Sequence, residues 1–265
     1  MKAITSRDNA GYKAMAKLVA STAERKRRAL SVLEGAHLVA AFLDSGRELD
    51  SLMVSRSALE RAEVAALADR AHPAAVTVIS DALFDALSTL DSATGVIAAA
   101  PTPEGVAVPA NASLVVLLED VQDPGNVGTL LRSAAAVGAG HVMLSKTCAF
   151  AWSLKVIRAG VGAHFALNIV EDADLAAWLA AFRGKSVALA GGAKESIYDL
   201  DLTGPLAIIV GNEGAGVSES LMRAATKRAR IPMPGRMESL NAGVAGSVAL
   251  FEALRQRQSS ADKRG

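Results

Sequence analysis

Three stretches of the 265-residue chain join an apolar, strand-like run to a helix-like run through a turn rich in Gly or Pro that also carries amides and carboxylates. The first is Glu119-Asp120-Val121-Gln122-Asp123-Pro124-Gly125-Asn126-Val127-Gly128-Thr129-Leu130-Leu131-Arg132. Its Asn126 and Arg132 are separated by about 1.7 helical turns, and Arg132 offers a planar fork suited to phosphate. The second is Ile208-Ile209-Val210-Gly211-Asn212-Glu213-Gly214-Ala215-Gly216-Val217-Ser218, where glycines let backbone N–H groups approach a ligand closely and Ser218 is placed to cap a helix. The third is Ile231-Pro232-Met233-Pro234-Gly235-Arg236-Met237-Glu238-Ser239-Leu240-Asn241, running into the apolar stretch Ala242–Leu254. Ser239 or Asn241 suits an N-cap there. A smaller turn, Leu189-Ala190-Gly191-Gly192-Ala193, ends another strand-like run in the same way. Taken singly, each has an ordinary account: Asn126 as a cap, Arg132 as a surface cation, the glycines as strand-to-helix geometry. If all these runs lie in one parallel sheet, their turns meet at its C-terminal edge, where open α/β sheets bind ligands.

Other chemistries lack their residues. The Gly-rich turn has no Gly-Lys-Ser/Thr phosphate loop, and it lies too late in the chain for a dinucleotide fingerprint. There is no Gly-x-Ser-x-Gly elbow for a hydrolase. His37, His72, His141 and His164 have no metal-ligand spacing, and one cysteine makes a zinc site improbable. That residue, Cys148, leaves no internal disulfide framework and points to a reducing compartment. The first residues contain no apolar signal core, and no apolar run is long enough to span a bilayer. A soluble, cytoplasmic protein is expected. Trp152 and Trp178 read as packing anchors rather than base-stacking platforms.

The elements that must hold these turns follow from pattern. Half the residues (51%) are hydrophobic and 4% are aromatic, enough for one large or two modest cores. Strand-like 29–34, 49–54, 76–79 and 95–99 alternate with helix-like 36–45, 58–70 and 82–90 behind a leading helix over 8–22. This is a βαβ-type unit of about one hundred residues. The stretch 101–111, with three prolines and a glycine, reads as a linker. Beyond it, strands at 113–118, 141–144, 165–170, 186–190, 206–210 and 229–231 are separated by helices after Gly125 and near 153–159, 175–182, 218–225 and 242–257. Apolar strands separated by helices imply a parallel sheet covered on both faces. The expected division is 1–100, a linker over 101–111, a second domain over 112–258, and a frayed polar tail over 259–265.

The net charge of +1 conceals two basic clusters. Residues 1–30 carry Lys2, Arg7, Lys13, Lys17, Arg25, Lys26, Arg27 and Arg28 against Asp8 and Glu24; Arg223, Lys227, Arg228, Arg230 and Arg236 form the second. Such patches fit a polyanion, or equally a solvated helix face.

The residues Asn126-x-Gly128-x-x-x-Arg132, Gly211-Asn212-Glu213-Gly214-x-Gly216, and Ile231-Pro232-Met233-x-Gly235 with Ser239-Leu240-Asn241 resemble the three ordered motifs of the SpoU (TrmH-type) RNA ribose 2′-O-methyltransferases of the SPOUT superfamily. The resemblance covers residues 113–257, and Arg25–Gly35 is similar to the start of the family's small N-terminal RNA-binding domain, itself similar to certain ribosomal proteins. It implies an α/β fold: a C-terminal parallel-sheet domain with a trefoil knot that binds S-adenosylmethionine, and a homodimer. It further implies that Gly191, Gly211, Ile231, Met233, Leu240 and Asn241 contact the cofactor, and that Asn126, Arg132, Glu213, Ser239 and Asn241 form the active site. Arg25, Lys26, Arg27, Arg28 and Arg132 would contact structured RNA, ribosomal RNA ahead of transfer RNA. No metal or membrane is implied. One departure follows Asn241, where Ala242-Gly243 stands in place of the family's usual Val-Ser. A non-catalytic RNA-binding factor on the same scaffold is the alternative, and a nicotinamide oxidoreductase is remote.

Overall fold

A computed structural model describes residues 2–262. The chain divides into two units: residues through Pro103 together with Trp152–Phe165, and Glu104–Ala151 together with Ala166 onward.

In the first unit the order is β1 (Lys2–Ile4), α1 (Ala10–Ala20), α2 (Thr22–Arg28), β2 (Leu30–Glu34), α3 (Ala36–Asp44), β3 (Ser51–Ser55), α4 (Ala62–Arg70), β4 (Val76–Ile79), α5 (Asp81–Asp85) and β5 (Val96–Pro101). The sheet order is β1-β4-β3-β5-β2. It is mixed rather than simply βαβ, because β5 runs antiparallel to both β2 and β3. The leading helix is split at Ser21, whose extended backbone ends α1 and whose hydroxyl accepts from Glu24 N–H to start α2. The expected helix 58–70 is likewise broken at Arg61, leaving a short 3-10 turn before α4.

Arg25 departs from its expected role. It is buried, donating to the carbonyls of Leu18 (2.6 Å) and Val19 (3.1 Å) at the end of α1 and to the Thr22 hydroxyl (2.7 Å). Burial lowers its guanidinium pKa from the ordinary value. It closes orphan helix carbonyls instead of meeting RNA. Lys26 and Arg27 are exposed, Arg27 pairing with Glu24, and Arg28 is half-buried. Arg25→Ala should therefore lower stability by about 2 kcal/mol, the scale of hydrogen bonds to a charged group. Arg27→Ala should change it by under about 0.5 kcal/mol, since exposed pairs contribute little; thermal unfolding of both variants checks this.

The second unit contains β6 (Leu114–Leu118), α6 (Pro124–Ala136) and β7 (His141–Leu144); the chain then visits the first unit as α7 (Leu154–Gly160). It returns through β8 (Asn168–Val170), α8 (Leu175–Ala181), β9 (Lys185–Leu189), β10 (Glu195–Ser196), β11 (Leu206–Val210), α9 (Glu219–Ala224), β12 (Lys227–Arg230) and α10 (Ala242–Asp262). Trp152–Phe165 is a correction to the expected 112–258 domain. Its Leu154 packs on the first unit's core, and Phe165 meets Phe42 edge-on with ring centroids 5.2 Å apart. The expected linker is corrected too: from Glu104 it belongs to the second unit, where Asn168 bonds both N–H and C=O of Val106 and the Trp178 indole donates to Val108 O. Of the expected tail, 259–262 continue α10 and 263–265 lie outside the described residues.

The second sheet is wholly parallel, in the order β10-β12-β9-β11-β6-β7-β8. β6 and β11 are buried along their full lengths, as strands covered on both faces must be. Gly246 lets α10 close on α6: a Cβ there would overlap Leu130 Cδ2 and come within 3.0 Å of Val210 Cγ2. Next to it the hydroxyls of Ser133 and Ser247 bond at 2.7 Å.

Candidate active site

Strand order brings the turns together. β12, β9, β11 and β6 are consecutive neighbours, with Ala229 level with Leu189, Ile209 with Ala188, and Val210 with Leu118. The turns after these strands therefore leave the same edge side by side.

The turns after β9, β11 and β12 line a cavity of about 350 Å³ whose wall includes Gly191, Gly211, Glu213, Ile231, Met233 and Leu240. Ser239 also lines it, as does Glu238, which the sequence reading passed over. The volume is in the range of small-molecule sites. Apolar Leu189, Met222 and Ala245 alternate in the wall with glycine backbone, the mixture that suits a nucleoside carrying a polar tail. Two glycines there differ. A Cβ on Gly211 would overlap the backbone of Gly216 and Val217, so the 211–217 loop closes only over a bare α-carbon. A Cβ on Gly191 would meet no atom within 4 Å, so no protein contact requires glycine there.

Glu213 ties the second turn to the first. Its carboxylate accepts from Asn126 Nδ2 at 2.9 Å and from the main-chain N–H groups of Asp123 (3.0 Å) and Gln122 (3.2 Å). Asp123 caps α6 by accepting from Asn126 N–H at 2.8 Å, so the helix start and the carboxylate hold each other. Burial pushes the Glu213 pKa up, but the Asn126 amide and the N–H groups of Asp123, Glu213 and Gln122 outweigh it and hold it below the ordinary carboxylate range. Asn126 is itself buried. Alongside, Asn212 donates to Asp120 O at 2.9 Å, and Asp120 holds a left-handed backbone (φ 54°) of the kind that collects at functional sites.

Asn241, not Ser239, caps α10, accepting from Val244 N–H at 3.1 Å. Gly243 lies directly behind: a Cβ would come within 3.1 Å of Asn241 Oδ1, 3.2 Å of Asn126 Oδ1 and 3.3 Å of Thr129 Cβ. The departure at this position thus sits where α10 presses on the Asn126 carboxamide.

Arg132 stands apart. It is exposed on α6 and is not in the cavity wall. Among the described residues no group of three His, Cys, Asp or Glu side chains could hold a metal ion, and no helix is long and apolar enough to cross a membrane.

Residues 113–251, which contain all these turns, match the SpoU rRNA Methylase family. The chain belongs to that family. Residues 9–98 match the MRM3-like substrate binding domain, so this SpoU protein pairs a methylase domain with a substrate-binding one. It is similar to the 23S rRNA (guanosine(2553)-2′-O)-methyltransferase RlmP of Bacillus subtilis, at 30% identity over 95% of this chain and 98% of that one. The match to the 23S rRNA (guanosine-2′-O-)-methyltransferase RlmB of Xylella fastidiosa is 40% identical but spans 55% of this chain and 59% of that protein. Among solved structures, an AdoMet-bound rRNA methyltransferase from Sinorhizobium meliloti superposes with a TM-score of 0.83 at 28% identity, covering 96% of this chain and 97% of the other.

Proposed function

We propose that this SpoU protein transfers a methyl group from S-adenosylmethionine to a ribose 2′-hydroxyl in structured RNA, with 23S ribosomal RNA as the substrate. The observation that carries the reading is the convergence of the 191, 211–216 and 231–240 turns on one cavity, beside the Asn126–Glu213 pair. The likeness to RlmP over nearly the whole of both chains supports the choice of RNA. The activity belongs in the cytoplasm, with the substrate. The knotted threading implied by the resemblance is part of this proposal.

Gly191, Gly211, Ile231, Met233, Leu240 and Asn241 would hold the cofactor, largely through main-chain groups. When bound, it supplies an electrophilic methyl group on a sulfonium. The protein's remaining task is alignment and help with the hydroxyl proton. Glu213 fixes Asn126 and the start of α6; Ser239 lines the cavity, and Asn241, outside its wall, caps α10 beside it. A guanidinium is a very weak acid, which favours Arg132 as a fork for RNA phosphate and for developing alkoxide charge over a role as base.

A homodimer completes the reading. Val244 and Phe251 are 46% and 49% exposed on α10, seven residues apart and hence on one face of the helix. A second copy covering that face is the dimer proposed here. Arg132→Ala should then reduce turnover about ten- to a hundredfold, the scale of one charge-assisted contact, with S-adenosylmethionine affinity unchanged. If Arg132→Lys keeps the rate and adds a lysine-like pKa to the pH–rate profile, proton removal at this position replaces the phosphate account.

Calorimetry with S-adenosylmethionine tests the cofactor; no binding would favour a non-catalytic RNA-binding factor. Ribose-methylation mapping of 23S rRNA and tRNA from a deletion strain tests the substrate. The expected result is one lost 2′-O-methyl in 23S rRNA; a loss in tRNA instead would contradict the substrate assignment.

A further inference from the structure

The second basic cluster fits, from the sequence, a polyanion contact or a solvated face; in the fold four of its five members bond within the protein. Arg223 pairs with Glu219, Lys227 with Glu195, and Arg228 donates to Met222 O. Arg230 itself lines the cavity, and its bonds go to the turn that continues from the cavity wall. Half-buried at the end of β12, its guanidinium donates to Ala193 O (3.1 Å) and to Lys194 O, while the residue also lines the cavity. The carbonyls it grips close the Ala190–Ala193 turn, whose own bonds are Ala193 N–H to Ala190 O (3.1 Å) and Ala190 N–H to Ala229 O (2.9 Å).

That turn spans the gap between β9 and β10, both of which pair with β12. Gly191 and Gly192 are exposed, and a Cβ on either would meet nothing within 4 Å, so a side chain there would add no packing. Glycine backbone has more conformational freedom to lose on ordering than any other residue. Yet Gly191 and Ala190 form part of the cavity wall. A wall made of free glycines keeps its shape only if something outside it fixes both ends. One end is fixed by the sheet, through Ala229 O; the other runs into β10, paired with β12, and there the Arg230 fork grips the last two carbonyls before the strand.

We propose that Arg230 is a positioning residue for the cofactor cavity, clamping the Ala190–Lys194 turn so that its main chain is already arranged when S-adenosylmethionine arrives. This rests on the proposed function, since it takes that cofactor to be the ligand. A planar fork can hold two carbonyls at once, whereas a lysine ammonium is a point donor on a flexible stem. Pre-ordering the turn spares the ligand that ordering entropy.

Two measurements on the full chain test the clamp. In ligand-free protein, Arg230→Ala should speed amide hydrogen exchange across residues 191–194 while leaving β9 and β11 protected as in wild type. By calorimetry its affinity for S-adenosylmethionine should fall about tenfold or more, the scale of one charge-assisted hydrogen bond. RNA affinity and kcat at saturating cofactor should stay near wild type, and Arg230→Lys should recover part of the loss. Arg223→Ala, which removes the same charge away from the turn, should bind as wild type does. Wild-type binding with unchanged exchange and affinity in Arg230→Ala would overturn the clamp alone. Equal losses in cofactor affinity, RNA affinity and thermal stability would overturn it in favour of a general structural role. Failure of the wild-type protein to bind S-adenosylmethionine would overturn the functional reading beneath it.

Discussion

Gly211→Ala is expected to weaken S-adenosylmethionine binding by more than about a hundredfold, the consequence of displacing a site wall by about an ångström. The added methyl would overlap the backbone of Gly216 and Val217, which cannot swing aside as a side chain can. To accept it the loop must spread, breaking the paired bonds between Asn212 and Gly216 (3.0 and 2.9 Å). Overpacking of this kind costs about 1–3 kcal/mol of stability, so the variant should unfold at a lower temperature yet remain folded. Gly191→Ala is the matched case. It meets no protein atom within 4 Å and its φ is not left-handed, so thermal stability should hold or rise slightly. Affinity should still fall, because Gly191 lines the cavity and its backbone would no longer be bare. Calorimetry and thermal unfolding on both variants separate the two effects. Equal affinities for Gly191→Ala and wild type would mean the ligand does not reach this wall.

The second large effect is at Glu213. Glu213→Ala removes the acceptor for Asn126 Nδ2 and for two main-chain N–H groups, and it leaves a buried carboxamide without that partner. The expected fall in kcat/KM is about a thousandfold, equivalent to roughly 4 kcal/mol of lost alignment. Glu213→Gln keeps one carbonyl oxygen for Asn126 and Asp123 and should recover much of this. The pH dependence follows from the direction of the shift. Because the folded carboxyl titrates below its unfolded value, its stabilising contribution is complete at neutral pH. It is lost as pH falls through the folded pKa. An NMR titration of the Glu213 side chain should have its midpoint below the ordinary carboxylate range. A midpoint at or above that range would show the hydrogen bonds absent in solution.

Much of the site was legible in the sequence because strand-to-helix turns are local. Ser218 caps α9 through Leu221 N–H, and Asn241 was one of two expected caps for α10. Adjacency of the strands was the untested step, since nothing in residues 185–189, 206–210 or 227–230 says which lies beside which. The long-range partners were hidden for the same reason. Glu213 meets Gln122 and Asp123 across about ninety residues (|i−j| of 91 and 90), and no local pattern encodes that. Arg25 was misread because a basic run looks the same whether its members face solvent or helix carbonyls. The two-residue strand β10 and the short edge strand β1 carry too few residues for a period to register. Trp152–Phe165 shows the limit of reading domains as continuous segments: its helix has ordinary composition, and only contacts with β2 and Phe42 assign it to the first unit.

The most direct test is transfer itself. Purified protein is incubated with 23S rRNA and S-adenosylmethionine labelled at the methyl carbon, and the digested RNA is resolved by mass spectrometry. The account predicts label in one 2′-O-methylnucleoside, absent with the Glu213→Ala variant. Label on a base, or none from a preparation that binds the cofactor, would contradict it.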